Sequence, residues 1–290
     1  MFENLRKSLM AAAMLAPVLA TAQIDVQRVA EHENLLDPKA AFWQATAAVL
    51  VPMLAQVVTV PRHPNNTVKE IRVRAAHNGH SIAFLLEWKD STKSDRIVVD
   101  KFGDQVAVQM PVKFNRDAPP SPMMGNPGGR VDIWQWRAAF QRDIDATEQH
   151  AHGSYAHAQQ QLHELYPNAV IDSYPDQVLR AIDALPYTGA LGLDNPVSHP
   201  LRTPVLDQSA EGWGTMTVEA DGQDADGKGV WANGAWRVVI VHPLATGTEN
   251  DIRLFPGDES VVAFAVWDGG HHEVGSRKAW SNWVPLRLQK

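Results

Sequence analysis

The stretch SPMMGNPGGRVDIWQW, residues 121–136, sets two adjacent methionines, Met123 and Met124, among prolines and glycines. Methionine ordinarily fills gaps in a core, where its unbranched stem adapts to irregular space. Here Pro119, Pro120, Pro122 and Pro127, with Gly125, Gly128 and Gly129, exclude a continuous helix or central strand, so both thioethers belong to a loop. A methionine on a loop is either exposed or aimed at something, and a thioether is a soft metal donor.

Histidine is the other abundant donor, with 12 in the chain. His150, His152, His157 and His163 fall in a helix-like stretch, where His150 and His157 lie two turns apart on one face. Catalytic zinc favours a tighter pair with a neighbouring carboxylate, and no H-E-x-x-H occurs, so a solvated polar face is the better reading. His271 and His272 on a turn carry the same weak signal. There is no G-x-S-x-G elbow, P-loop or G-x-G-x-x-G, and Asp143 and Asp145, two apart on a helix, point away from each other.

Composition narrows the chemistry further. With no cysteine, C-x-x-C-H haem attachment, iron–sulfur ligation and thiol catalysis are excluded, and any cofactor must be held by other ligands. A net charge of −7 and the lack of any Lys/Arg cluster leave no footprint for nucleic acid.

The elements that must position these side chains follow from periodicity. MFENLRK is a short cationic start, SLMAAAMLAPVLA an apolar run, and Ala20-Thr21-Ala22 a small-x-small cleavage site, so residues 1–22 read as a secretory signal peptide. The product would be exported to the periplasm, with residues 23–290 as one domain and no membrane span in the mature chain. KEIRVRAAHNGHSIAFLLEW alternates on both sides of a His-Asn-Gly-His turn, a β-hairpin signature, and DQVAVQMPV is a further strand. Residues from about 132 to 200 are rich in Ala, Gln and Glu and read as inserted helices. After them GWGTMTVEA, GAWRVVIVHPL, SVVAFAVWDGG and NWVPLRLQK return to strands. The expected fold is mainly β: a β-sandwich with an inserted helical segment in the middle of the chain.

Read in order, IAFLLEWKDST, DQVAVQMPV, MMGNPGGRVDIWQWRA, GWGTMTV, GAWRVVIV and FAVWDGGHHEVGSRKAWSNW span most of the mature chain. This set resembles the haem b-binding gamma subunit of periplasmic molybdenum enzymes related to DMSO reductase, the group with ethylbenzene and dimethylsulfide dehydrogenases and selenate and chlorate reductases. The resemblance implies a non-catalytic electron-transfer subunit whose haem b relays electrons between an iron–sulfur subunit and a soluble periplasmic cytochrome, beside a molybdopterin catalytic subunit. It implies a methionine and a lysine as axial ligands to the haem iron, which map to Met124 and Lys278, with Met123 as an alternate. His77, His80, His271 and His272 are the next candidates, because imidazole is the commoner haem ligand. His242 stands where the resemblance leads one to expect an arginine, which leaves the haem propionate partner open, and Trp88, Trp134, Trp136 and Trp267 could wall the pocket, with at least half of them ordinary core. Two other functions suit the same residues: a carbohydrate-binding β-sandwich module that stacks sugars on tryptophan, and a His-rich periplasmic metalloprotein.

Overall fold

Ile71, Val73 and Ala75 alternate with Arg72 and Arg74, the period of two that a half-buried strand requires, and strands dominate throughout. The computed structural model describes residues 23–97, 99–149, 203–219 and 222–290. Its first strands are β1 (Ile24–Arg28), β2 (Val49–Pro52), β3 (Leu54–Ala55), β4 (Glu70–His77), β5 (Ser81–Lys89), β6 (Gln105–Pro111) and β7 (Val131–Arg137). The remainder are β8 (Val205–Ala210), β9 (Thr217–Val218), β10 (Asp226–Ala232), β11 (Ala235–Pro243), β12 (Glu259–Trp267), β13 (Ala279–Trp280) and β14 (Val284–Leu288). Two α-helices are described, the four-residue α1 (Phe42–Ala45) and α2 (Ala138–Gln149), with a 3-10 turn at Gly269–His271.

The strands hydrogen-bond in the order β10-β11-β5-β4-β1-β14-β12-β6-β7-β8-β9, a single sheet that curls until its two halves face each other. The fold is therefore mainly β and sandwich-like, as expected. Phe84 on β5 meets Trp134 on β7 and Phe264 on β12 at ring separations of 6.2 and 6.1 Å, and Trp136 meets Trp236 on β11 at 5.0 Å. Each such side chain withdrawn from water contributes roughly 1.5–3 kcal/mol, and these aromatics share one core with buried aliphatic residues such as Ile71, Ile82 and Ile240. The β4–β5 turn has the expected chemistry: Gly79 takes a φ of 96°, and the Asn78 side chain accepts from the His80 and Ser81 amides.

Both halves are also covered on the outside, which explains why β5 and β6 read as nearly continuous apolar runs. Leu35 and Trp43 lie over Ala76, Ala83, Leu85 and Val239 on the outer face of the β4-β5-β11 half. The outer face of β6, β7 and β12 carries the candidate site.

The helical segment begins later than the sequence suggests. Residues 132–137 are strand, paired to β6 on one side and β8 on the other, because Trp134 and Trp136 face the core while Ile133 and Gln135 face outward. That period-two pattern outweighs the helix-favouring composition that starts only at Ala138. The rest of the expected insertion up to residue 200, with His150, His152, His157 and His163, lies outside the described residues, as does the expected signal peptide.

Candidate functional site

Outward-facing side chains of three adjacent strands build a floor. In register across them lie Ala265, Ala107 and Gln135, flanked by Ala263, Gln109 and Ile133 on one side and by Trp267, Gln105 and Arg137 on the other. The alanines leave a trough, and above it lies a cavity of about 820 Å³. That is within the range of cofactor and small-ligand sites, about 300–1,000 Å³.

The floor's glutamines are linked in one chain of hydrogen bonds. Gln208 Nε2 donates to Gln135 Oε1 (3.0 Å), Gln135 Nε2 to Gln105 Oε1 (2.6 Å), and Gln105 Nε2 to the Gly103 carbonyl (3.3 Å). Arg137 Nη2 joins on Gln135 Oε1 (3.0 Å), while its buried Nε has no partner. Burial lowers the Arg137 pKa, so this is a cation held in a poorly solvated place.

One wall is the methionine loop. Gln109 Nε2 donates to the Pro122 carbonyl (3.0 Å), which ties the loop to the floor. The Met123 amide donates to Ser121 Oγ (3.2 Å), the Gly125 amide to the Ser121 carbonyl (3.0 Å), and the Gly212 amide to the Met124 carbonyl (2.7 Å). Within this frame Met124 holds a φ of 67° and Gly125 a φ of 72°. A left-handed conformation costs a non-glycine residue about 1–3 kcal/mol and persists only where the surroundings over-determine it. Met124 packs against the Ala107, Val131, Ile133, Ala210 and Trp267 cluster, and both Met123 and Met124 line the cavity.

Lys278 lines the same cavity from the turn between β12 and β13. Its Nζ lies 5.0 Å from the centre of the Trp267 ring and has no carboxylate or hydrogen-bond partner among the described residues. The nearest acid along the chain, Glu273, is already taken: Oε1 accepts from Thr67 Oγ1 (2.7 Å) and contacts His63 Nε2 (2.7 Å), and Oε2 accepts from the Asp268 amide (3.1 Å). Burial lowers the Lys278 pKa to about 8, so the neutral amine, which has a free lone pair, is within easy reach. The turn is fixed by Trp267 Nε1 donating to the Gly275 carbonyl (2.9 Å) and Gln56 Nε2 donating to the Ser276 carbonyl (3.0 Å).

The structure thus brings Met123, Met124 and Lys278 to one cavity and leaves the other candidates away from it. Buried His77 at the end of β4 makes a 2.8 Å contact to the Gln289 carbonyl, and exposed His80 pairs with Glu31. His271 pairs with Asp268 at 2.7 Å, and His272 makes an edge-on contact with Phe102. None of the four histidines lines the cavity. Of the four candidate tryptophans, Trp267 lines it, whereas Trp88, Trp134 and Trp136 face the core between the sheet halves, in keeping with the expectation that at least half are core. His242 is likewise buried in the interior, stacked on Trp134. Phe102, Arg137, Trp213 and Trp280 also line the cavity, and no sequence motif marks them. The glutamines at outward positions of apolar strands are the sequence signal that points to the floor.

Residues 40–279 match the sequence model of the ethylbenzene dehydrogenase family. The chain belongs to that family. It is also 25% identical over 275 residues to a Haloferax mediterranei chain named as a putative respiratory nitrate reductase haem subunit, covering 93% of this chain and 75% of that one. Among solved structures, a family 9 carbohydrate-binding module from Caldicellulosiruptor kristjanssonii with glucose aligns at a TM-score of 0.42 and 10% identity, covering 92% of this chain and 96% of that one. The cellotriose complex of a family 9 module from the same organism aligns at 0.42 and 9% identity, covering 92% and 94%. At those scores the likeness to the modules carries no argument about what this family member binds.

Proposed function

We propose that this chain is the haem b-binding electron-transfer subunit of a periplasmic molybdenum oxidoreductase complex. It would relay electrons between an iron–sulfur subunit and a soluble periplasmic cytochrome, while a molybdopterin subunit carries out the substrate chemistry. The observation that carries this reading is a single cavity reached by both a thioether loop and an unpaired, easily neutralised lysine. Family membership and the haem-subunit relative support the same reading.

The residues present fit the group. Met124, with Met123 as its alternate, and Lys278 would hold the haem iron, and a thioether favours reduced iron and raises the potential. Arg137, with a buried Nε lacking a partner, suits a haem propionate, the role that interior His242 cannot fill. Haem b supplies reversible one-electron chemistry when bound. The chain's own residues position it, exclude water with Phe102 and Trp267, and keep Lys278 free of any competing acid.

The cationic and apolar start of the chain supports export by the general secretory route. No described helix is long and apolar enough to cross a membrane.

Reconstitution of the full chain with haem b tests the reading. The expected product has a low-spin b-type spectrum, releases its haem into acid acetone, and runs in native extract within a complex far larger than one chain. A chain that stays colourless with excess haem would falsify it, and saccharide binding without iron would favour the carbohydrate-module alternative.

A further inference from the structure

We propose that Asp132, Asp207, His242 and Asp251 form a closed structural site for a first-row divalent cation such as Zn²⁺ or Mn²⁺, separate from the cavity and independent of the haem reading. Each offers one ligand atom, and these atoms lie within 4.8 Å of one another. All four side chains are buried, Asp207 and His242 at 0% exposure, Asp132 at 1% and Asp251 at 5%.

The hydrogen bonding points to an occupant. Asp132 Oδ1, both oxygens of Asp207 and His242 Nε2 are buried with no hydrogen-bond partner. Such groups are rarely left so in a native interior. For Asp132, His242 and Asp251, one atom of each side chain is held from behind. His242 Nδ1 lies 2.7 Å from the Pro243 carbonyl, which can only accept, so Nδ1 carries a proton and Nε2 is the ring atom that faces the cluster, 3.3 Å from Asp207 Oδ2. Asp132 Oδ2 accepts from the Ile252 amide (3.1 Å), and Asp251 Oδ2 accepts from the Thr246 hydroxyl. One atom oriented by an outer partner and the other left free is how metal-binding imidazoles and carboxylates are prepared.

Spacing and donor type narrow the ion. His242 Nε2 and Asp207 Oδ2 stand 3.3 Å apart without hydrogen-bond geometry. Two ligands on a tetrahedral zinc, at bonds of about 2.1 Å, lie about 3.4 Å apart. An imidazole nitrogen among the donors favours first-row ions over the all-oxygen shell of Ca²⁺. Because every ligand is buried, the site has no open position for substrate.

The placement gives the ion a role. Asp132 and Asp207 come from neighbouring strands β7 and β8, His242 from β11 in the facing half, and Asp251 from the connection between β11 and β12. A shared cation would staple the two halves in a chain that has no cysteine to do so.

The test unfolds the full chain in denaturant with chelator and refolds it, haem supplied throughout, with Zn²⁺, Mn²⁺ or Ca²⁺ alone or with none. Expected is about one retained equivalent of Zn²⁺ or Mn²⁺ and a Tm about 5–10 °C above the chelated protein. Asp207→Asn and His242→Gln abolish retention, whereas Asp90→Asn, in the other buried acidic cluster of Asp90, Asp104 and Asp268, keeps it. If the first two variants do not fold, the wild-type comparison with and without ion decides by itself. Wild-type protein that retains neither ion and melts as the chelated form does, or that retains Ca²⁺ alone, overturns the proposal.

Discussion

The Lys278 ammonium lies 5.0 Å over the Trp267 ring, with the neighbouring Glu273 committed to Thr67 and the Asp268 amide. Among the described residues a cation–π contact is all that offsets the burial of that charge, and burial wins: the pKa falls to about 8. In the unfolded chain lysine titrates near its ordinary value, about 10.4. The haem-free fold therefore carries a penalty that is full below about pH 8 and disappears as pH rises through the unfolded value. Lys278→Met should raise the Tm of haem-free protein at pH 7, and the gain should shrink to nothing above about pH 10.5. A gain independent of pH would show that packing, not charge, is responsible.

Haem-loaded variants separate the two methionines. Met124→Ala should leave the iron high-spin or lose the haem, Met123→Ala should change the spectrum little, and Lys278→Ala should open a site to carbon monoxide. A spectrum disrupted by the Met123 change alone would move the ligand by one residue.

Gly125 is the pivot of the same loop. Its φ is 72°, and a methyl group on its Cα would stand only 2.4 Å from the Gly129 carbonyl oxygen, so it tolerates no side chain. Gly125→Ala should cost at least about 1 kcal/mol in urea unfolding and weaken haem retention more than it lowers overall stability. Equal loss in both would mean that the loop is not a local unit.

Gln135 is the centre of the amide chain on the floor, accepting from Gln208 and Arg137 and donating to Gln105. Gln135→Leu strands buried donors and should lower stability by about 1–3 kcal/mol, measured as a shift in urea midpoint. Gln135→Glu keeps both acceptor roles and should restore part of the loss when Arg137 is present.

Much of this is legible in sequence because strands and loops declare themselves locally. The alternation around Ile71 and Val73, the turn at Asn78-Gly79 and the proline and glycine punctuation around Met124 all depend on near neighbours in the chain. What depends on register is harder to see. Trp134 and Trp136 look like pocket walls until pairing with β6 shows that their face is the core and that the cavity belongs to Ile133 and Gln135. The Asp132, Asp207, His242 and Asp251 cluster is assembled from segments far apart in sequence, with no motif to announce it. Asp132 to Arg137 passes for helix in sequence because its aromatic alternation runs directly into the alanine-rich start of α2.

The parallel pairing of β1 with β14 has a consequence for assembly in time. Asp25 and Arg287 are joined across 262 positions, and β1 also pairs with β4, so this strand links the two halves of the sheet. Contacts of that sequence separation form slowly, because the whole intervening loop must be ordered first. During synthesis the early hairpin of β4 and β5 can form by itself, but the edge beside it waits for the last described strand to emerge. Until then Ile24 and Val26 have no sheet to complete, and the half-closed chain presents an open edge on which a chaperone, or another copy of the chain, can act first.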